Sequence, residues 1–137
     1  MEDPIPQFTH VIKGLKELNI AYLHLVESRL SGGSVDGIYD ATGKLDFALE
    51  AWNSDKPVLL AGGFTSEKAK GVANGHYKQY NVAVAFGRYF ISTPDLPFRV
   101  KHDLELNEYD RTTFYTPVVE KGYTDYEFSR EFLSASL

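Results

Sequence analysis

The chain has 137 residues, with 14 Lys and Arg against 19 Asp and Glu for a net charge of −5, four His and no Cys. That length suits one domain able to bury a core, while the missing cysteines exclude disulfides, a thiolate nucleophile and thiolate-held metal. An acidic balance without a Lys/Arg cluster offers no track for a phosphate backbone, so nucleic acid is excluded as a partner.

Met1-Glu2-Asp3-Pro4-Ile5-Pro6 carries neither the basic nor the apolar block of a signal peptide, and no apolar run reaches membrane-spanning length. A soluble cytoplasmic protein is expected. After the two prolines, Phe8, Val11, Ile12, Leu15 and Leu18 recur at helical spacing, predicting a first helix that ends near Asn19. A strand follows over Ile20 to Val26. Ser31 to Gly43 contains four glycines among Ser, Asp and Thr and is expected to be a long loop, a place where function often sits. Leu45, Ala48, Leu49 and Trp52 mark a short amphipathic helix. Pro57 opens a strand over Val58 to Ala61. Thr65 then caps a helix to about Asn74, with Glu67 near its positive end and Gly75 as its stop. Asn81 to Ala85 is the third strand, and a brief helix is expected around Pro94 to Val100. Lys101 to Leu137 is rich in aromatics and charge and has no clear period. Alternation of this kind predicts a parallel α/β sheet. It is too short for a complete eight-unit barrel, which takes about 250 residues.

The chemical signal lies where two apolar runs stop at glycine: Val58-Leu59-Leu60-Ala61-Gly62-Gly63-Phe64 and Val82-Ala83-Val84-Ala85-Phe86-Gly87-Arg88. Glycine lets backbone N–H groups approach an anion, a helix start attracts one, and the arginine fork can hold two phosphate oxygens. The loops after the last two strands of a barrel are its usual phosphate site, so these positions suggest a phosphorylated cofactor. Tight turns without a ligand are the simpler alternative. His10, His24, His76 and His102 lack metal-ligand spacing, so no metal site is expected. His24 alternates with Tyr22 and Val26 and reads as a hydrogen-bonded core histidine in preference to one facing a barrel interior. Glu27 and Arg29 leave the first strand and could touch a ligand or pair with each other. In the tail, Phe114-Tyr115 could cover a flat ring or simply pack.

Taken together the segments resemble the C-terminal part of the old yellow enzyme family of FMN-dependent ene-reductases, its fungal members in particular. The resemblance rests on Tyr22 to Arg29, Ala61-Gly62-Gly63-Phe64, the long block Phe86 to Leu96, Leu106-Asn107, Tyr109-Asp110-Arg111, Thr113-Phe114-Tyr115 and Gly122 to Tyr126. It implies a partial TIM barrel: residues 1–137 would be a single fragment holding the last three βα units and an aromatic-rich tail. By the same resemblance Gly62, Gly63, Gly87 and Arg88 hold the FMN phosphate, and Phe114 and Tyr115 lie beside flavin and substrate. NAD(P)H is the implied reductant and an apolar or enone-type molecule the implied substrate.

The family's substrate-carbonyl donors, proton-donating tyrosine and flavin-contacting residues come from earlier strands that have no counterpart here. The expected function is therefore the FMN-phosphate part of an NAD(P)H oxidoreductase, weak or inactive by itself, completed by a homo-oligomer or a complementary barrel half. The alternative is a flavin-free binding or assembly protein, or a cofactor-independent isomerase or cyclase of a fungal pathway. His24, Glu27, Tyr39 and Tyr115 would be its acid-base and substrate candidates.

Overall fold

Parallel pairing of three short strands organises the first part of the chain. The computed structural model describes residues 3–27, 45–53 and 55–135, and these divide into two compact units, one reaching Ala85 and the other beginning at Phe86.

In the first unit, α1 (Ile5–Glu17) starts with Pro6 in its first turn, where the missing N–H breaks no intrahelical bond. It buries Ile12 and leaves Phe8, Val11 and Leu18 exposed. The chain leaves through Asn19 at φ 55°, a left-handed conformation that asparagine tolerates at a helix end. Three strands follow, β1 (Leu23–Val26), β2 (Val58–Ala61) and β3 (Val82–Ala85), all parallel and in the order β1-β2-β3. Their registers align: Leu23 pairs with Val58 and Val58 with Val82, while at the far end Val26 pairs with Ala61 and Ala61 with Ala85. The first strand is shorter than the Ile20 to Val26 run because β2 begins only after Pro57, whose carbonyl accepts from Leu23 N at 3.1 Å.

One face of this sheet is covered. Leu23, Val58 and Leu60 are buried together with Ala48, Leu49 and Trp52 of α2 (Asp46–Trp52), the helix expected from their spacing. Trp52 satisfies its indole N–H on the Lys56 carbonyl at 3.0 Å. Along the opposite face His24 is exposed, Val26 is 69% exposed and Ala83 is exposed. The expectation of a core histidine therefore fails. His24 alternates with the buried Leu23, and among the described residues no helix covers its side of the sheet.

Thr65 caps α3 (Ser66–Gly71) as its position predicts, its hydroxyl accepting from Lys68 N at 3.3 Å. Beyond Gly71 the helix widens into a π turn over Val72–His76, so the expected stop at Gly75 is passed. This turn carries His76 to within 2.9 Å of the Asp46 carboxylate and sets its ring edge-on to Tyr77 at 4.5 Å. Tyr77 is 1% exposed. Burial first, then the negative Asp46, push its phenol up to about 12.

The second unit contains more structure than the aperiodic tail suggests. It holds α4 (Arg88–Ser92), α5 (Leu96–His102), a 3-10 turn over Arg111–Thr113 and α6 (Arg130–Ala135). Only a helix near α5 was expected. A buried polar network replaces periodicity here. Arg99 donates through Nε to Asp95 at 2.8 Å, through Nη1 to the Glu105 carbonyl at 2.9 Å and to Asn107 Oδ1 at 2.7 Å, and through Nη2 to the Glu127 carbonyl at 3.1 Å. Asn107 returns its amide to the Ser92 and Glu127 carbonyls, and Asp95 accepts from the Ser129 amide and hydroxyl. Burial tends to raise the Asp95 carboxyl, but hydrogen bonds from Ser129 and Arg99 outweigh it and hold the group below its ordinary value of 3.8.

Two predictions follow from these buried groups. Because the folded chain holds the Tyr77 proton more tightly than the unfolded one, stability should fall as pH rises from 10.0 towards about 12. The slope is about 1.4 kcal/mol per pH unit. Tyr77→Phe should flatten that limb in urea unfolding across a pH series, and an unchanged slope would refute the assignment. The Asp95 contribution has the opposite sense, being complete above 3.8 and lost as pH falls through the lower folded value. Arg99→Leu should cost about 3–5 kcal/mol by leaving Asp95 buried without its cation. Asp95→Asn should make the acid limb of the stability profile shallower, and an unchanged limb in the same pH series would contradict the assignment.

Candidate functional site

The sheet's far edge is set by the pairs Val26 with Ala61 and Ala61 with Ala85. β2 and β3 therefore end at matching levels. Glu27 extends the ladder one step past β1, its N–H donating to the Ala61 carbonyl at 2.8 Å.

After β2, Gly62 adopts φ +152° and Gly63 φ +72°. A Cβ on Gly62 would sit 2.7 Å from Glu27 Cβ and 3.2 Å from its Oε2. Glycine is thus required here by a close approach as well as by backbone conformation. Glu27 itself is buried, at 4% exposure, with its side chain against this turn. It supports the glycine segment and is not displayed on the surface. The partner considered for it, Arg29, and the substrate candidate Tyr39 lie outside the described residues, as does the Ser31 to Gly43 segment.

In the second unit Gly87 is the N-cap of α4, with nothing within 4 Å of the place a Cβ would take. An anion can therefore come close to its backbone. Arg88 follows at the first helical position, half-buried. Its Nη1 donates to the Tyr109 hydroxyl at 2.7 Å and its guanidinium carbon lies 4.8 Å from the Tyr109 ring centroid. Tyr109 in turn stacks on Phe114 at 5.9 Å and meets Tyr89 edge-on at 5.2 Å, and Phe114 approaches Tyr123 at 6.4 Å. Phe114 is thus one ring in an aromatic row. Tyr115, beside it, is 93% exposed at φ 62°, with its amide donating to the Tyr123 hydroxyl at 3.1 Å.

Within the second unit, a glycine with open space beside it and a positioned guanidinium have the chemistry that a phosphate group would need. Sequence reasoning passed over Tyr109, which the Tyr109-Asp110-Arg111 block contains without any sign that it reaches Arg88. It also passed over the Asp46 and His76 pair, which is 30 residues apart in sequence. Among the described residues no group of three or more His, Asp or Glu could hold a metal ion, and no helix is long and apolar enough to cross a membrane.

Comparison with known proteins places these observations. Residues 6–107 match the NADH:flavin oxidoreductase / NADH oxidase family. Chanoclavine-I aldehyde reductase of Penicillium roqueforti is 48% identical over 135 residues, covering 98% of this chain and 36% of that protein. Among solved structures, morphinone reductase superposes with a TM-score of 0.71 at 30% identity, covering 93% of this chain and 32% of that one. Old yellow enzyme from a Pichia species gives 0.69 at 28% identity, covering 93% and 30%. The chain spans about a third of the length of such relatives. Its open three-stranded parallel sheet is a portion of their TIM barrel. The flavin-free alternative is not favoured by these likenesses.

The two glycine positions should respond differently to a methyl group. Gly62→Ala should lose about 1–3 kcal/mol of stability through the Glu27 contact and the positive φ. Gly87→Ala, at φ −97° with free space, should unfold within about 0.5 kcal/mol of the wild type. Thermal melts of both variants test this, and equal losses would contradict it.

Proposed function

The chain belongs to the NADH:flavin oxidoreductase / NADH oxidase family, and we propose that it supplies the phosphate-holding part of an FMN site in an NAD(P)H-dependent reductase. FMN and NAD(P)H are the cofactors of this family. The observation that carries the proposal is Arg88, a half-buried guanidinium held against Tyr109 directly after the open-sided Gly87. Bound FMN would supply hydride transfer from NAD(P)H to an activated alkene. The chain's own part is to bind and orient. Gly62, Gly63 and Gly87 offer backbone donors, Arg88 offers a paired guanidinium, and Phe114 brings a ring face to the flavin side. Tyr115, exposed next to Phe114, is the substrate-facing residue of this scheme.

Residues 1–137 act in this scheme as one piece of a barrel domain. The uncovered sheet face with His24 and Val26, and the edges of β1 and β3, are closed by further barrel strands from a complementary segment or a second copy. The groups that polarise a substrate carbonyl belong to those strands, so the chain by itself should turn over slowly or not at all. The substrate class is a small conjugated aldehyde or enone. The name of the Penicillium roqueforti relative, an aldehyde reductase, supports that choice.

Titration of the purified chain with FMN, followed by flavin fluorescence, tests the proposal. Saturable binding is expected, weakened about 10- to 100-fold by Arg88→Ala through loss of a charge-assisted pair. Gly87→Ala should weaken FMN while leaving the melting temperature near that of the wild type. Absence of binding, or affinity indifferent to Arg88, would overturn it.

A further inference from the structure

We infer that Tyr109 is a positioning residue for the phosphate-binding arginine. This inference rests on the FMN reading of Arg88. An arginine side chain free to rotate gives up much entropy when it clamps a ligand, so a partner that fixes its orientation beforehand raises affinity without touching the ligand. Tyr109 has the features such a partner needs. Its hydroxyl accepts from Arg88 Nη1 at 2.7 Å, and its ring lies 4.8 Å from the guanidinium carbon. The hydroxyl and the ring both hold the guanidinium.

The ring is itself held. Tyr89 meets it edge-on at 5.2 Å and Phe114 stacks on it at 5.9 Å with planes 24° apart. Tyr109 therefore has little freedom to pass on to Arg88. Using Nη1 on Tyr109 leaves four of the five guanidinium N–H bonds for an anion. The same ring reaches Phe114, so the cation for the phosphate and the aromatic row next to Tyr115 are joined through one side chain.

The experiment compares FMN with riboflavin, which lacks the phosphate, on the full chain. Tyr109→Phe keeps the ring and removes the hydroxyl. It should weaken FMN about tenfold, the value of one hydrogen bond to a charged group, and leave riboflavin affinity unchanged. In an Arg88→Ala background, Tyr109→Phe should weaken FMN by much less than tenfold, because a residue that acts through another loses its effect when the other is absent. Equal weakening of FMN and riboflavin would mean a general structural role and overturn the inference. If Arg88→Ala weakens FMN while Tyr109→Phe does not, the inference fails and the FMN reading stands. If Arg88→Ala has no effect, or the chain binds no FMN, both fail. A second measurement avoids any variant that folds poorly. NMR of the Arg88 guanidinium in the unliganded wild type should show resolved, slowly rotating Nη groups, and fully averaged signals would refute pre-positioning.

Discussion

Parallel pairing is the constraint on which the first unit depends. Strands that run the same way cannot be joined by tight turns, so each must be followed by a crossover, and here the crossovers become the helices that carry the core. β1, β2 and β3 are only four residues each, and their ends align at Val26, Ala61 and Ala85. Whatever follows each strand therefore leaves the sheet at one edge. Glu27 and Gly62 are the first residues past β1 and β2, and they meet because that edge brings them together. The contact is tight enough that a Cβ at Gly62 would lie 2.7 Å from Glu27 Cβ and force one of them to move.

The second unit reaches order by another route. Its segments are short, and among the described residues Leu96 is the one large apolar side chain of this unit that is buried. Arg99 compensates by binding three backbone or side-chain acceptors besides Asp95, so that parts of the chain up to 28 residues apart are tied to one guanidinium. A network of this kind stabilises only when every member is satisfied, since a half-paired buried charge costs more than an apolar replacement. Asp95 meets that condition through Ser129 as well as Arg99. The two aromatic clusters, Tyr109 with Phe114 and Tyr123, and Phe98 with Phe128 and Phe132, fill in around it.

This difference explains which parts were legible in the sequence. Runs such as Val58 to Ala61, and the helix spacing of Ala48, Leu49 and Trp52, encode burial directly in residue order. The Thr65 cap has a short-range chemical signature and appears where it was expected. Gly75 was misread because a π turn absorbs the extra residue, and no local pattern marks a widened turn. The tail was opaque for a physical reason. Its order comes from Arg99 and Asn107 bonding to carbonyls, and a carbonyl has no residue identity to read. His24 was misjudged because strand alternation tells which residues share a face but not whether anything covers it.

For the candidate site the same distinction applies with greater force. Glycine at a strand exit is visible, and Gly62, Gly63 and Gly87 were readable as positions where backbone could approach an anion. Whether such a turn binds anything depends on a cation held at the right place, which residue type does not reveal. An exposed arginine makes a poor clamp, because solvent competes for its charge and its rotamers must be frozen on binding. Arg88 escapes both limits by lying half-buried against Tyr109, 21 residues away in sequence. The arginine gives the segment its charge, but the tyrosine makes that charge directional. In the proposed scheme the arginine's grip on a phosphate thus depends on the tail residue Tyr109 as well as on the arginine itself.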